Sequence, residues 1–270
     1  MGVDEQTIDL AGAPVFVRIG SLGTAPPLYL HSVPTSSDDW TPFLERTGGI
    51  APDLPGFGRS GKAGNLDYSL HGLARFVGEL LDALQLNEVK LVGHGWGAAV
   101  GLVLAQREPG RVQRIVLVDP VPLLDGFRWP AVARLWRRPG IGELAMGATG
   151  KWLLARALRR GSVSPQAWPS DRIEAVWEQF DQGTQRAILR LHRSVDEQRL
   201  IAAGAGLGAL AVPALVLWGE RDPWLPASFA HRYAERLGQA TPIRLADAGH
   251  WPWLDQRSVI DRVDQFLASG

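Results

Sequence analysis

Short apolar runs alternate along this chain with longer stretches in which apolar residues recur every three or four positions. Pro14 to Ile19 alternates in the manner of a half-buried strand. Leu28 to His31 and Gly49 to Asp53 are brief apolar runs that end in turns, the second closed by Leu54-Pro55-Gly56-Phe57-Gly58. Leu70 to Leu86 carries apolar side chains at 70, 73, 76, 77, 80, 81 and 84, which is the spacing of one helix face. Val89 to Gly93 predicts a buried strand, Ala98 to Gln106 a buried helix, and Arg114 to Asp119 and Ala214 to Gly219 two further strands. Ser228 to Leu237 and Val259 to Leu267 predict helices, with a short strand at Pro242 to Leu245 between them. Buried strands that alternate with helices imply an α/β fold, a mostly parallel, doubly wound sheet covered on both faces.

The alternation stops between about Pro122 and Leu207. Helical patterning replaces it at Val132–Trp136, Trp152–Leu158, Ile173–Phe180 and Gln185–Leu191, broken by Pro and Gly. The stretch follows one core strand and precedes another. It therefore reads as an insertion: residues 1–121 and 208–270 form the core, and 122–207 form a helical cap above the carboxyl ends of the strands, where open α/β sheets bind ligands. Its arginines, Arg134, Arg137, Arg138, Arg156, Arg159 and Arg160, are expected on a solvated face.

Composition narrows the function classes. The 270 residues hold 28 basic and 28 acidic side chains, a net charge of zero that argues against a nucleic-acid footprint and against electrostatic docking to a membrane. No cysteine is present, which removes disulfides, thiol catalysis and Cys-based zinc sites. Met1 to Leu10 has no apolar run and is not expected to be a secretory signal, and no stretch approaches a membrane span, so the cytoplasm is the simplest location. No His/Asp/Glu cluster has metal-ligand spacing, and neither a metal nor a cofactor is expected. The 11 Trp outnumber the 3 Tyr, and several fall in the middle third, as apolar pocket walls would.

The most informative segment is Gly93-His94-Gly95-Trp96-Gly97, set between a buried strand and a helix of small residues. A strand, then Gly-x-nucleophile-x-Gly, then a helix is a nucleophile elbow. The outer glycines allow close backbone approach, and the central residue is held at positive φ, a strained state for any residue with a Cβ. Here the central residue is Gly95, which relieves the strain and offers no atom to attack with.

Over nearly its full length the chain resembles the α/β-hydrolase superfamily. The matching segments are His31-Ser32-Val33-Pro34-Thr35-Ser36-Ser37 with Trp40, Ala51 to Ser60, the elbow, Leu217-Trp218-Gly219-Glu220-Arg221-Asp222-Pro223, and Ala248-Gly249-His250-Trp251-Pro252. It looks most like the capped branch that holds haloalkane dehalogenases, epoxide hydrolases and carbon–carbon or ester hydrolases. The resemblance implies His250 as general base and Asp222 as its acid partner, in the family order of elbow, acid, His. Asp119 is a second acid candidate, read as more structural. The implied oxyanion donors are the backbone N–H groups of Val33 and Trp96. Ser32, which stands where the family usually has Gly, joins Trp40, His94 and Trp251 as expected pocket residues. His71, His192 and His231 are expected on solvated helix faces.

Dehalogenases of this branch bind halide with the Trp after the nucleophile and often an Asn in the early loop, a position held here by Val33. Epoxide hydrolases use tyrosines of the cap, whereas Tyr29, Tyr68 and Tyr233 all lie outside residues 122–207. Ester, lactone and carbon–carbon bond hydrolysis stay open. Three readings follow: a hydrolase-descended enzyme that uses His250 and Asp222 on a small apolar molecule without covalent catalysis, a small-molecule binding protein, or a chain whose nucleophilic Asp or Ser was replaced by Gly. On any of them, Gly95→Asp or Gly95→Ser is expected to create hydrolysis of simple esters or halides.

Overall fold

The structure is a computed structural model that describes residues 2–10 and 12–269, so positions 1 and 270 of the expected core bounds lie outside the described residues. Its strands are β1 (Asp4–Leu10), β2 (Ala13–Ile19), β3 (Pro27–Leu30), β4 (Ile50–Pro52), β5 (Val89–His94), β6 (Val112–Val118), β7 (Ala214–Gly219) and β8 (Ala240–Leu245). They form one sheet in the order β1-β2-β4-β3-β5-β6-β7-β8. The β1–β2 and β2–β4 pairs are antiparallel, and every pair from β4 to β8 is parallel. Both β3 and β7 are buried at every position, which explains their unbroken apolar runs. β1 has no counterpart in the sequence pattern. It is a polar edge strand, mostly exposed, held by its ladder to β2 rather than by a buried face, so no alternation marks it.

The helices are α1 (Thr41–Thr47), α2 (Leu70–Ala83), α3 (Gly95–Arg107), α4 (Ala131–Trp136), α5 (Ile141–Gly147), α6 (Lys151–Arg160), α7 (Ser170–Gln179), α8 (Gln182–Ser194), α9 (Glu197–Ala203), α10 (Phe229–Leu237), α11 (Pro252–Asp255) and α12 (Ser258–Ala268). Ser69 caps α2 by accepting the Gly72 N–H at 3.0 Å. α3 is buried from Gly95 through Ala105, so it has no polar face to betray its period. Between β6 and β7 the described residues hold only helices and turns, α4 to α9. Of these, α5 and α9, seven residues each, have no counterpart in the sequence pattern.

Two expectations for this helical insertion are corrected. Arg134, Arg138, Arg156, Arg159 and Arg160 are exposed, but Arg137 turns inward, donates to the carbonyls of His192 and Val195, and lies 5.0 Å over the Trp129 ring. His192 is buried rather than solvated: it continues the inward row of Thr184, Ile188 and Leu191 on α8.

The insertion is tied to the core by Lys62 Nζ to Asp181 Oδ2 at 2.7 Å, by Gln179 Nε2 to Asp38 Oδ2 at 2.9 Å, and by Arg172 Nη1 to Asp39 Oδ1 at 3.8 Å. Asp39 is almost fully buried, and burial pushes its carboxyl up to about 6 although Arg172 pulls it back. A carboxyl raised on folding contributes stability that is complete below its unfolded value and lost as pH rises through the folded one. Asp39→Asn should therefore leave the melting temperature unchanged near pH 3.5. At pH 8 it should stabilise by up to about 3 kcal/mol, the equivalent of a shift of about two units, with thermal denaturation across that range as the check.

Candidate active site

β5 delivers the chain into the elbow, and α3 begins at Gly95 itself. Gly95 has φ +50°. A Cβ on Gly97 would run into the carbonyl oxygens of Leu30 and His31, and one on Gly93 into the backbone of Ala98. Gly95 therefore sits at positive φ in a tightly packed strand-to-helix turn.

His250 follows β8 in a turn and is 6% exposed. Its Nδ1 donates to Asp222 Oδ2 at 2.6 Å. The other oxygen, Asp222 Oδ1, accepts the N–H groups of Trp224 at 2.8 Å and Leu225 at 3.0 Å. The carboxylate bonded to His250 is thus Asp222, not Asp119. Asp119 lies behind the pair and accepts the Gly219 N–H at 3.0 Å. Burial, and then the charge of Asp222, push its carboxyl well above the usual range. Both effects favour the uncharged form of Asp119. These three residues are also the one His/Asp/Glu set among those described whose ligand atoms approach within 4.8 Å of one another. A distant trio at 119, 222 and 250 gives no spacing signal. Both oxygens of Asp222 and Oδ1 of Asp119 are engaged by the imidazole and backbone donors just described, whereas Asp119 Oδ2 has no hydrogen-bond partner.

The His250 turn is held from three sides. Its backbone N–H donates to Gly161 O in the insertion at 2.6 Å. Its carbonyl accepts His94 Nε2–H at 2.8 Å, and the two rings stand 4.5 Å apart. Burial, reinforced by the His250 ring, lowers His94 well below the ordinary His range, as suits a neutral donor. Asp255 Oδ2 accepts the Gly249 N–H at 2.8 Å, while its Oδ1 accepts Val163 and Ser164 N–H at 2.9 and 2.7 Å. Nothing in the sequence marks Asp255, two of whose three partners, Val163 and Ser164, lie across the core–insertion seam. The Trp224 and Trp251 rings meet His250 edge-on at 5.1 and 4.9 Å.

On the opposite side stand Ser32, Val33 and Trp96. Ser32 Oγ accepts the Trp96 N–H at 3.2 Å. Val33 follows it and precedes Pro34 through a cis peptide. His31 fixes this loop: its Nε2 accepts the Leu54 N–H at 2.9 Å, so its Nδ1–H donates to Ser32 O at 2.7 Å. Trp96 stacks on Trp129 at 5.9 Å and meets His192 edge-on at 5.0 Å. Burial, reinforced by Arg137, lowers His192 to about 4. Trp40, expected in the pocket, is fully buried against Tyr29, Phe43 and Trp253 and packs the core.

Residues 28–256 match the family described as alpha/beta hydrolase fold. The chain belongs to the α/β-hydrolase fold family. It is 28% identical to a haloalkane dehalogenase of Mesorhizobium japonicum over 92% of this chain and 85% of that one. It is also 28% identical to a 2-hydroxy-6-oxo-2,4-heptadienoate hydrolase of Pseudomonas putida, over 82% and 78%. Among solved structures, a haloalkane dehalogenase loop variant from Bradyrhizobium elkanii superposes with a TM-score of 0.85 at 25% identity, covering 99% and 97% of the two chains. The hydrolase family shares the fold, and no helix among the described residues is long and apolar enough to cross a membrane.

The geometry alters what a substitution at Gly95 is expected to do. A Cβ built there would stand 2.7 Å from Ser32 Cβ and closer still to Ser32 Oγ. Overpacking at positive φ makes Gly95→Ser alone destabilising by about 2–4 kcal/mol. Adding Ser32→Gly should recover most of that loss, as read by denaturant unfolding of the single and double variants. In the same assay Asp255→Ala should cost about 2–4 kcal/mol through its three lost N–H partners.

Proposed function

We propose that this chain is a hydrolase of small apolar esters or related acyl compounds in which the His250–Asp222 pair is the general base. The observation that carries the reading is the 2.6 Å bond from His250 Nδ1–H to Asp222. It fixes the tautomer with a lone pair on Nε2 and stabilises the imidazolium that forms. The same ring brings Cε1 to 3.7 Å from the position of an elbow side chain on Gly95.

The other parts support this assignment. Trp96 and Val33 N–H are the proposed oxyanion donors, Ser32, His94 and Trp251 border the reacting space, and the helical insertion serves as its lid. Epoxide opening by tyrosine is less well supported. The Tyr233 hydroxyl donates to Val121 O at 3.0 Å, Tyr68 to Ala63 O at 2.9 Å, and Tyr29 bonds Thr47. Dehalogenation lacks a side-chain donor at Val33. Binding without turnover is the second reading, favoured by the bare elbow, but it leaves a buried acid–imidazole pair without a use. The cytoplasm is the proposed setting, with a small molecule as the partner.

General-base assistance is worth about 10²–10⁴-fold. His250→Ala should lower turnover of p-nitrophenyl esters by about that factor with the fold intact, and Asp222→Asn should follow it in direction. Unchanged ester turnover in a folded His250→Ala protein would remove the reading.

A further inference from the structure

We infer that Ser32 supplies the nucleophilic oxygen that the elbow has lost. This rests on His250 being the base and names the group on which it acts. Three observations converge on the space above Gly95. The Ser32 side chain stands inside the volume that an elbow side chain would fill: a Cβ on Gly95 would overlap its Oγ and lie 2.7 Å from its Cβ. His250 Cε1 lies 3.7 Å from that same Cβ position. The Ser32 hydroxyl is also bonded to the Trp96 N–H, the backbone donor that follows the elbow.

The replacement is reciprocal. Where the resemblance has glycine in the early loop this chain has Ser32, and where it has a nucleophile this chain has Gly95. Gly95 leaves room for Ser32, and Ser32 fills the room Gly95 leaves. Ser32 is buried, 2% exposed as a residue, so it is largely shielded from bulk water. Its backbone is steadied because Ser32 O accepts both His31 Nδ1–H at 2.7 Å and Thr35 Oγ1–H at 3.3 Å. Unlike an elbow residue, Ser32 is not among the residues at positive φ. The nucleophile is therefore carried on relaxed backbone.

The substrate class is an ester of a small apolar carboxylic acid. Ser32 Oγ gives its proton to His250 Nε2 and attacks the ester carbonyl carbon, while Trp96 N–H passes from Oγ to the developing oxyanion. The bond to the alcohol breaks, and His250 returns the proton to the departing alkoxide. Water, deprotonated by His250, then attacks the acyl carbon. The bond to Oγ breaks, the acid leaves, and Ser32 regains its proton.

The test treats the whole protein with an alkyl fluorophosphonate, from which a serine oxygen displaces fluoride, and locates the adduct by peptide mass spectrometry. The wild-type chain should gain one phosphonyl group on Ser32, and Ser32→Ala should gain none. Turnover of p-nitrophenyl acetate should fall at least about 100-fold in Ser32→Ala. Ser32→Cys, which keeps the side-chain shape, should hold the melting temperature and form a thioester that accumulates. Absence of the adduct from wild-type Ser32 overturns the inference. So does Ser32→Ala turning over normally while His250→Ala does not, which leaves His250 acting on water and the base reading intact. Normal turnover in both variants overturns both.

Discussion

A carboxylate without solvent contact must be met by donors, and the site is organised around how Asp222 meets that demand. Its side chain has no exposure, and its oxygens take one imidazole N–H and two backbone N–H groups. The backbone pair comes from the turn that β7 opens, so the sheet fixes where the charge sits. The imidazole comes from the turn after β8, so the charge in turn fixes where His250 sits. Asp119 adds a carboxyl behind the pair that burial and Asp222 hold toward its neutral form, which prevents two adjacent buried negative charges.

Facing this pair, the early loop and the elbow share one small volume. Protein interiors are close-packed, so a side chain removed at one position leaves either a void or a neighbour that fills it. Ser32 fills it, under a carbonyl held by His31 and Thr35. The bare Gly95 and the side chain at Ser32 thus share one packing solution, even though they lie on different strands' loops.

Much of this was legible beforehand. The central strands announce themselves because both faces are covered, which leaves runs such as Leu28–Leu30 and Ala214–Trp218 with no polar interruption. The elbow is legible because its glycines answer a local steric demand, and Asp222 and His250 because each sits at the mouth of a strand. What stayed hidden depends on contacts across the chain. Asp255 reaches back to residues 163 and 164, and the Ser32 hydroxyl meets the Trp96 N–H. His192 is a different case. Its place four residues after Ile188 was visible in the pattern, but its polarity outweighed its position. An aromatic side chain beside the loop is as useful to the core as to a pocket, and Trp40 packs with Tyr29, Phe43 and Trp253.

The bond from His250 N–H to Gly161 O ties two distant parts of the chain together. With the two Asp255 bonds to Val163 and Ser164 it couples the His250 turn to the 161–164 segment. Displacing either one would break the same three hydrogen bonds, so the two keep a single register, like the halves of a clasp.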